Sequence, residues 1–275
     1  MTLVVASNRQ NGRHRKIPSF SLSFHQISLL QVTATHDVCR IVANTLIVVN
    51  ASSLIHPGHF TRSINNGVAL RMLPLGDSIT YGYRSSDGDG YRWALLNRLS
   101  LIGNTVEYVG SVHSGDMVQN ANEGHPGAVI SEIATYADLS LPDRPNVVLL
   151  MAGTNDCGKP DDPAGAPSRL SSLIDKIVSA CPDAAVIVAQ ITPIQDANAE
   201  ARVQTFNAAL PDIVASKANA GKKVLLVDQS AYVTVNDLID GLHPTGHGYD
   251  RMSECWLAGI QQAGVNGWIQ TPVII

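Results

Sequence analysis

From residue 70 onward, short apolar runs alternate with stretches whose apolar positions recur at helical spacing. Residues 70–75 form an apolar run that stops at Gly76, as a buried strand would. Residues 91–101 carry apolar side chains at helical intervals, and residues 105–109 alternate in strand fashion up to Gly110. A short helix is predicted over 130–139. Residues 147–151 are continuously apolar, the pattern of a strand covered on both faces. A helix over 168–180 ends at Cys181-Pro182-Asp183, and a further buried strand occupies 185–191. A long helical stretch spans 199–220, with Gly221 as its stop. A fifth strand at 223–227 and a final helix at 249–263 complete the series.

Strands that alternate with helices predict an α/β fold: a five-stranded parallel sheet with helices on both faces and right-handed crossovers. The expected strand order is flavodoxin-like, 2-1-3-4-5, which gathers functional groups beyond the C-terminal ends of the strands. Residues 1–67 look different. They hold a basic cluster, Arg13-His14-Arg15-Lys16, and a short apolar run at 41–49 followed by Ala51-Ser52-Ser53. Three readings stay open for them: a displaced signal segment, an extra element packed on the domain, or an extension from an uncertain start. The expected division is an N-terminal extension at 1–67 and a catalytic domain at 68–275.

Composition narrows the function classes. Apolar residues make up 45% and charged residues 15% of the 275, which describes an ordinary globular chain. The net charge of −4 does not favour a nucleic-acid partner. No apolar stretch is long enough to span a bilayer. The four cysteines, Cys39, Cys157, Cys181 and Cys255, form no CxxC pair and no zinc-like cluster with histidine. Cys157 and Cys181 flank a predicted helix and make the first candidate disulfide, with buried free thiols as the alternative.

Candidate chemistry sits at the strand ends. Gly76-Asp77-Ser78 follows the first strand, and Asp240-Gly241-Leu242-His243-Pro244 follows the last. A serine hydroxyl is almost fully protonated at neutral pH. An imidazole that takes its proton, and a carboxylate that fixes the imidazole tautomer, make it a nucleophile. Asp240 precedes His243 by three residues, so a single turn brings its carboxylate to one ring nitrogen and leaves the other for Ser78. His247 has no such aspartate and reads as a loop residue. Asn155, in Gly153-Thr154-Asn155-Asp156, could donate to an oxyanion, and Gly127, in Gly124-His125-Pro126-Gly127-Ala128, could offer a backbone N–H. Each block alone is also what a turn requires.

Taken together, Gly76-Asp77-Ser78, Gly127, Gly153-Thr154-Asn155-Asp156 and Asp240 with His243 resemble the four blocks of the SGNH hydrolases, the GDSL esterase family, over about two hundred residues. Leu73-Pro74-Leu75-Gly76-Asp77-Ser78-Ile79-Thr80, Asp87-Gly88-Asp89-Gly90-Tyr91-Arg92 and Glu123-Gly124-His125-Pro126-Gly127 look like the microbial acetyl xylan esterases of carbohydrate esterase family three. The resemblance implies a three-layer α/β/α sandwich and ester hydrolysis without metal or cofactor. Ser78 would be the nucleophile, with His243 and Asp240 as its partners and Asp77 supporting. Ser78 N–H, Gly127 N–H and the Asn155 amide would form the oxyanion hole. One departure stands out: relatives often carry Trp where this chain has Ala128, which removes an aromatic wall beside the acyl group.

The expected substrate is an O-acetyl group on a plant cell-wall polysaccharide such as acetylated xylan, or a small acyl ester. A polymer substrate implies secretion, and a monomer is expected. The alternatives are a lipid acylhydrolase or lysophospholipase, and a carbohydrate-binding protein that keeps the fold without turnover.

Overall fold

The computed structural model describes residues 63–159 and 161–275. Cys39 and the readings of residues 1–62 lie outside the described residues. Residues 63–67 form a short turn, Ile64–Asn66, whose Ile64 is buried. Asn104 holds this turn by bonding both the N–H and the carbonyl of Ile64.

The sheet has seven strands, β1 (Leu70–Gly76), β2 (Val106–Tyr108), β3 (Val112–His113), β4 (Ala121–Gly124), β5 (Val147–Met151), β6 (Ala185–Gln190) and β7 (Val224–Asp228). Across the sheet the order is β3-β4-β1-β5-β6-β7, with β2 also paired to β1. All pairs are parallel except β3 with β4. The 2-1-3-4-5 order therefore holds for the main strands, but the second position is split. β2 pairs with the start of β1, Leu70 to Met72, and β4 with its end, Leu75 and Gly76.

Pro74 explains the gap. On this edge Leu70 N–H bonds Thr105 O, Met72 O accepts from Val109 N–H, and Gly76 O accepts from His125 N–H. Pro74 is the remaining residue pointing this way, between the two neighbours, and it has no N–H to leave unpaired. The sequence reading missed β3 and β4 because Val112–His113 and Ala121–Gly124 hold a single apolar residue each and so show neither an apolar run nor alternation.

Helices cover both faces. α2 (Tyr91–Leu101) and α7 (Gly246–Val265) pack together on one side, and α3 (Ile130–Ser140), α5 (Ala166–Ala180) and α6 (Ala197–Asn219) pack in series on the other. β5, between these layers, is buried at every position, which accounts for its unbroken apolar run. Two short helices, α1 (Ser78–Tyr81) and α4 (Thr154–Gly158), start directly after β1 and β5. The segment of α4 reads as a turn, and that of α1 as a loop or a helical turn. His247 lies in the first turn of α7 rather than in a loop, with its side chain exposed.

The candidate disulfide is not formed. Cys157, Cys181 and Cys255 are buried free thiols. Cys157 precedes the 15-residue helix α5 and Cys181 follows it. Cys157 lies beyond the C-terminal end of β5 and Cys181 just before the start of its parallel neighbour β6, so about 16 Å of strand at ~3.3 Å per residue separates them, beyond the ~7 Å limit for bridged Cα atoms.

A buried cation ties the loops beside the sheet together. Arg92, on α2, is fully buried. Its guanidinium donates to the carbonyls of Tyr81, Gly88, Ser114 and Asn120 and to the Ser114 hydroxyl. Arg92→Met would keep the apolar stem and strand those carbonyls. It is expected to lower unfolding free energy by at least ~3 kcal/mol in urea titrations. Trp93→Ala, on the exposed side of the same helix, is expected to change it by less than ~1 kcal/mol.

Candidate active site

β4, β1 and β5 end at the same level. Gly124 pairs with Gly76, and Gly76 with Met151. The segments carrying Gly127, Ser78 and Asn155 therefore leave the sheet side by side. Two glycines permit this crowding. A Cβ on Gly76 would lie 2.3 Å from the Met151 carbonyl oxygen and 2.4 Å from Thr80 Oγ1. A Cβ on Gly124 would lie 2.3 Å from the Tyr81 nitrogen. With both absent, α1 seats directly on the sheet end.

Asp77 caps α1 by accepting the Ile79 N–H at 3.0 Å. Ser78 follows as the first helical residue, and its Oγ lies 2.9 Å from His243 Nε2. The opposite ring nitrogen, Nδ1, lies 2.9 Å from Asp240 Oδ2. Asp240 Oδ1 meanwhile accepts the backbone N–H groups of Leu242 and His243. The loop that presents them is closed by a bridge between Leu238 and Pro244 and by Ile239 N–H bonding His243 O. Gly241, at φ 81°, makes the turn inside it. The predicted spacing of Asp240 and His243 thus yields both a backbone and a ring contact to one carboxylate.

The two nearby carboxylates have opposite environments. Burial alone would raise the Asp240 pKa, but the His243 N–H, ring and charge and the Leu242 N–H bring it down to about 2. Asp77 is fully buried, and that burial lifts its carboxyl to about 6 despite the Ile79 N–H, the Thr154 hydroxyl and the His243 charge. Asp77 Oδ2 and Thr154 Oγ1 are both buried without a hydrogen-bond partner.

Gly127 occupies a Pro-Gly turn closed by Ala128 N–H to His125 O, at φ 83°. A Cβ there would meet no protein atom, so the chain itself asks for glycine through φ and not through crowding. Asn155 Nδ2 donates to Ala128 O at 2.9 Å, which joins α4 to this turn and leaves the second amide hydrogen free of that bond. Ala128 is buried and enters the site through its carbonyl.

Several supporting residues escaped the sequence reading. Asp156, the neighbour of Asn155, accepts the Ile130 N–H and is held by Arg169, so both ends of segment 128–130 are fixed from α4. Glu123 is fully buried among Ser111, Ser140 and His125, whose bonds outweigh burial and lower its pKa. His125 stacks on Tyr136 with ring centroids 3.7 Å apart. Tyr83 and Arg84 flank the histidine and Asp240. Asp156 and Glu123 stand inside blocks quoted for their shape, whereas Tyr83 and Arg84 carry no periodic or motif signal. Among the described residues, no group of three or more His, Cys, Asp or Glu side chains is placed to hold a metal ion. Nor, among them, is any helix long and apolar enough to cross a membrane.

The chain is 28% identical over 229 residues to a multidomain esterase of Ruminococcus flavefaciens, an alignment covering 70% of this chain and 28% of that protein. A second curated relative, from Acetivibrio thermocellus, is covered over 49% of its length, so the chain spans less than half of each of these relatives. Among solved structures, a family 3 carbohydrate esterase of Clostridium thermocellum superposes with a TM-score of 0.61 at 33% identity, over 69% of this chain and 94% of that one. A family 3 carbohydrate esterase from Talaromyces cellulolyticus, at 24% identity and a TM-score of 0.58 over 72% of this chain and 99% of that one, shares the fold. The GDSL-like lipase/acylhydrolase family matches residues 75–251, which contain Gly76-Asp77-Ser78, Gly127, Gly153-Thr154-Asn155-Asp156 and Asp240 with His243, and the chain belongs to that family.

Proposed function

We propose that this chain is a serine-dependent carboxylic-ester hydrolase that removes O-acetyl groups from a plant cell-wall polysaccharide such as acetylated xylan. The observation that carries the reading is the continuous relay from Ser78 Oγ through both nitrogens of His243 to Asp240, each step 2.9 Å. In the proposed reaction, His243 Nε2 takes the Ser78 proton as Oγ attacks the ester carbonyl. Asp240 stabilises the imidazolium that forms. The negative oxygen of the adduct is received by Ser78 N–H, Gly127 N–H and the free Asn155 amide hydrogen. Collapse releases the alcohol with the proton from Nε2. Water then attacks the acyl-serine by the same route and frees the acid. Residues 68–275 suffice for every role.

The acetylated-glycan substrate is supported by the likeness to a family 3 carbohydrate esterase at 33% identity. A polymeric substrate of that kind places the enzyme outside the cell. Asp77 is assigned a supporting role: it caps the helix that carries the nucleophile, and its charge bears on His243.

Ser78→Ala is expected to abolish ester turnover while the melting temperature holds, and a fluorophosphonate label is expected on Ser78 by mass spectrometry. Residual turnover above a small fraction of wild type would place the nucleophile elsewhere. In an acyl-length series of p-nitrophenyl esters run beside acetate release from acetylated xylan, acetate should be the preferred acyl group, with release from the polymer. Preference for long chains would support a lipid acylhydrolase instead. No turnover at all would support a binding protein.

Asn155→Ala is expected to lower kcat by roughly a hundredfold to a thousandfold with little change in KM, because the lost donor acts on the transition state. A change confined to KM would make Asn155 a substrate-binding residue.

Asp77 also predicts a pH signature. Its folded pKa of about 6 exceeds the ordinary value of 3.8, so the folded state holds the proton more tightly. Its contribution to stability is therefore most favourable below ~4 and is lost as pH rises through 6. Asp77→Asn keeps the capping oxygen and removes the charge. It is expected to raise stability by up to ~2 kcal/mol at pH 7 and much less at pH 4.5, by calorimetry at both pH values. An equal effect at both would show that the charge is not the cause.

A further inference from the structure

The proposed reaction fixes where the alcohol half of the ester must lie. When the adduct on Ser78 collapses, the bond from carbon to the alcohol oxygen breaks, and that oxygen takes the proton from His243 Nε2. The alcohol must therefore reach this nitrogen, and the side chains that flank the imidazole flank the alcohol as well. Ser78 and Asp240 occupy the two ring nitrogens. The ring itself is met edge-to-face by Tyr83, with centroids 4.8 Å apart at 63°.

Tyr83 is 42% exposed, yet its position is fixed from several sides. Its N–H bonds Ser78 O, and its carbonyl accepts the Tyr249 hydroxyl. The Arg84 guanidinium lies over its ring, 5.4 Å from the centroid, and Arg84 Nε is 3.4 Å from Asp240 Oδ2. Arg84 reaches back this way because its backbone takes φ 70°, a left-handed conformation that costs a non-glycine residue free energy. The loop behind them is pinned at both ends: Arg92 bonds Tyr81 O and Gly88 O, and Ser85 bonds Gly82 O and Gly90 N–H. A half-exposed aromatic ring and an exposed guanidinium are thus held rigidly beside the proton donor. Beyond Asp240 a groove of about 480 Å³ continues, lined in part by Ile194, Gln195, Asp196 and Leu242. Its size lies within the range of about 300–1,000 Å³ usual for small-molecule sites.

We propose that Tyr83 and Arg84 form the alcohol-side subsite, and that it takes a pyranose ring. The apolar C–H face of the sugar rests on Tyr83, and its hydroxyls accept from the Arg84 guanidinium. This rests on the ester-hydrolase reading and names the residues that hold the sugar in it. Beside His243 a cation and an aromatic ring stand together, a pairing suited to the hydroxyls and C–H face of a sugar, while the groove beyond mixes Ile194, Ala199 and Leu242 with Gln195 and Asp196.

The test compares kcat/KM for acetylated xylotetraose with kcat/KM for p-nitrophenyl acetate, in wild type, Tyr83→Leu, Tyr83→Phe and Arg84→Ala. The ratio should fall by about tenfold in Tyr83→Leu, by a smaller factor in Arg84→Ala, and stay near wild type in Tyr83→Phe, which keeps the ring. A constant ratio, with both substrates slowed together in Tyr83→Leu, would mean that the ring only buttresses His243 and would overturn the subsite. Direct binding gives a second readout that does not depend on turnover. Calorimetric affinity of Ser78→Ala for unacetylated xylotetraose should drop at least about fivefold when Tyr83→Leu or Arg84→Ala is added. No drop in either overturns the subsite, even in the case where wild type hydrolyses no ester and the hydrolase reading itself fails. The exposed Arg84 position keeps the test valid should Tyr83→Leu not fold.

Discussion

The arrangement depends on how closely three strand ends and one short helix can approach. Gly76 sits where β1, β5 and α1 meet, and even one methyl group there would collide with backbone on one side and with Thr80 on the other. Removing side chains from Gly76 and Gly124 lets α1 begin at the sheet itself. A serine on a loop a few ångströms farther out would face the same imidazole through a softer hinge. Rigid support matters because the relay tolerates little error: both of its links are 2.9 Å, and hydrogen bonds weaken steeply with misalignment.

Buried polar groups carry the same logic outward. Arg92, Glu123 and Asp156 are each inaccessible, and each spends its hydrogen bonds on other segments, Asp156 on the first residue of α3 and on Arg169 of α5, and not on neighbours within its own element. Such a buried network, satisfied apart from Arg92 Nε, contributes more to specifying one arrangement than to net stability, since desolvation offsets most of its electrostatic gain. Arg92 fixes the segments after α1, Glu123 fixes the strand before the Gly127 turn, and Asp156 fixes the helix after that turn. The loops around the candidate site are therefore ordered by charge, while the sheet beneath them is ordered by apolar burial.

This division also decides what could be read from the sequence. Apolar burial leaves a pattern, so the positions of β1, β2, β5, β6 and β7 and of the helices α2, α3, α5, α6 and α7 were legible to within a few residues. The four blocks were legible because Ser78, Asn155, Asp240 and His243 lie in short, compositionally distinct segments. Elements shorter than about one period were not. α4 looked like a turn, and α1 like a loop or a helical turn, because Asp77-Ser78 and Thr154-Asn155-Asp156 are turn formers until a strand end stands directly before them. The split second strand was hidden by Pro74, whose meaning depends on which edge of β1 it faces. The Cys157–Cys181 expectation failed because the two residues stand at opposite ends of neighbouring parallel strands, a separation that sequence proximity conceals. Long-range charge contacts such as Arg92 to Asn120 leave no local pattern at all.

The two carboxylates near His243 end in different ionic regimes for one physical reason, access to donors. Asp240 accepts two backbone N–H groups and a ring nitrogen while partly exposed, so it stays ionised down to about 2. Asp77 is fully enclosed and receives one backbone donor, so its charge develops only near 6. Imidazoles ordinarily titrate in that same interval. Negative potential at His243 therefore has a constant part from Asp240 and a part from Asp77 that grows as pH rises through 6. That second part favours an imidazolium formed during turnover at neutral pH. It also requires a buried charge that the fold must hold against its own desolvation, and this pairing of a destabilising charge with a reactive group is a physical mark of a functional site.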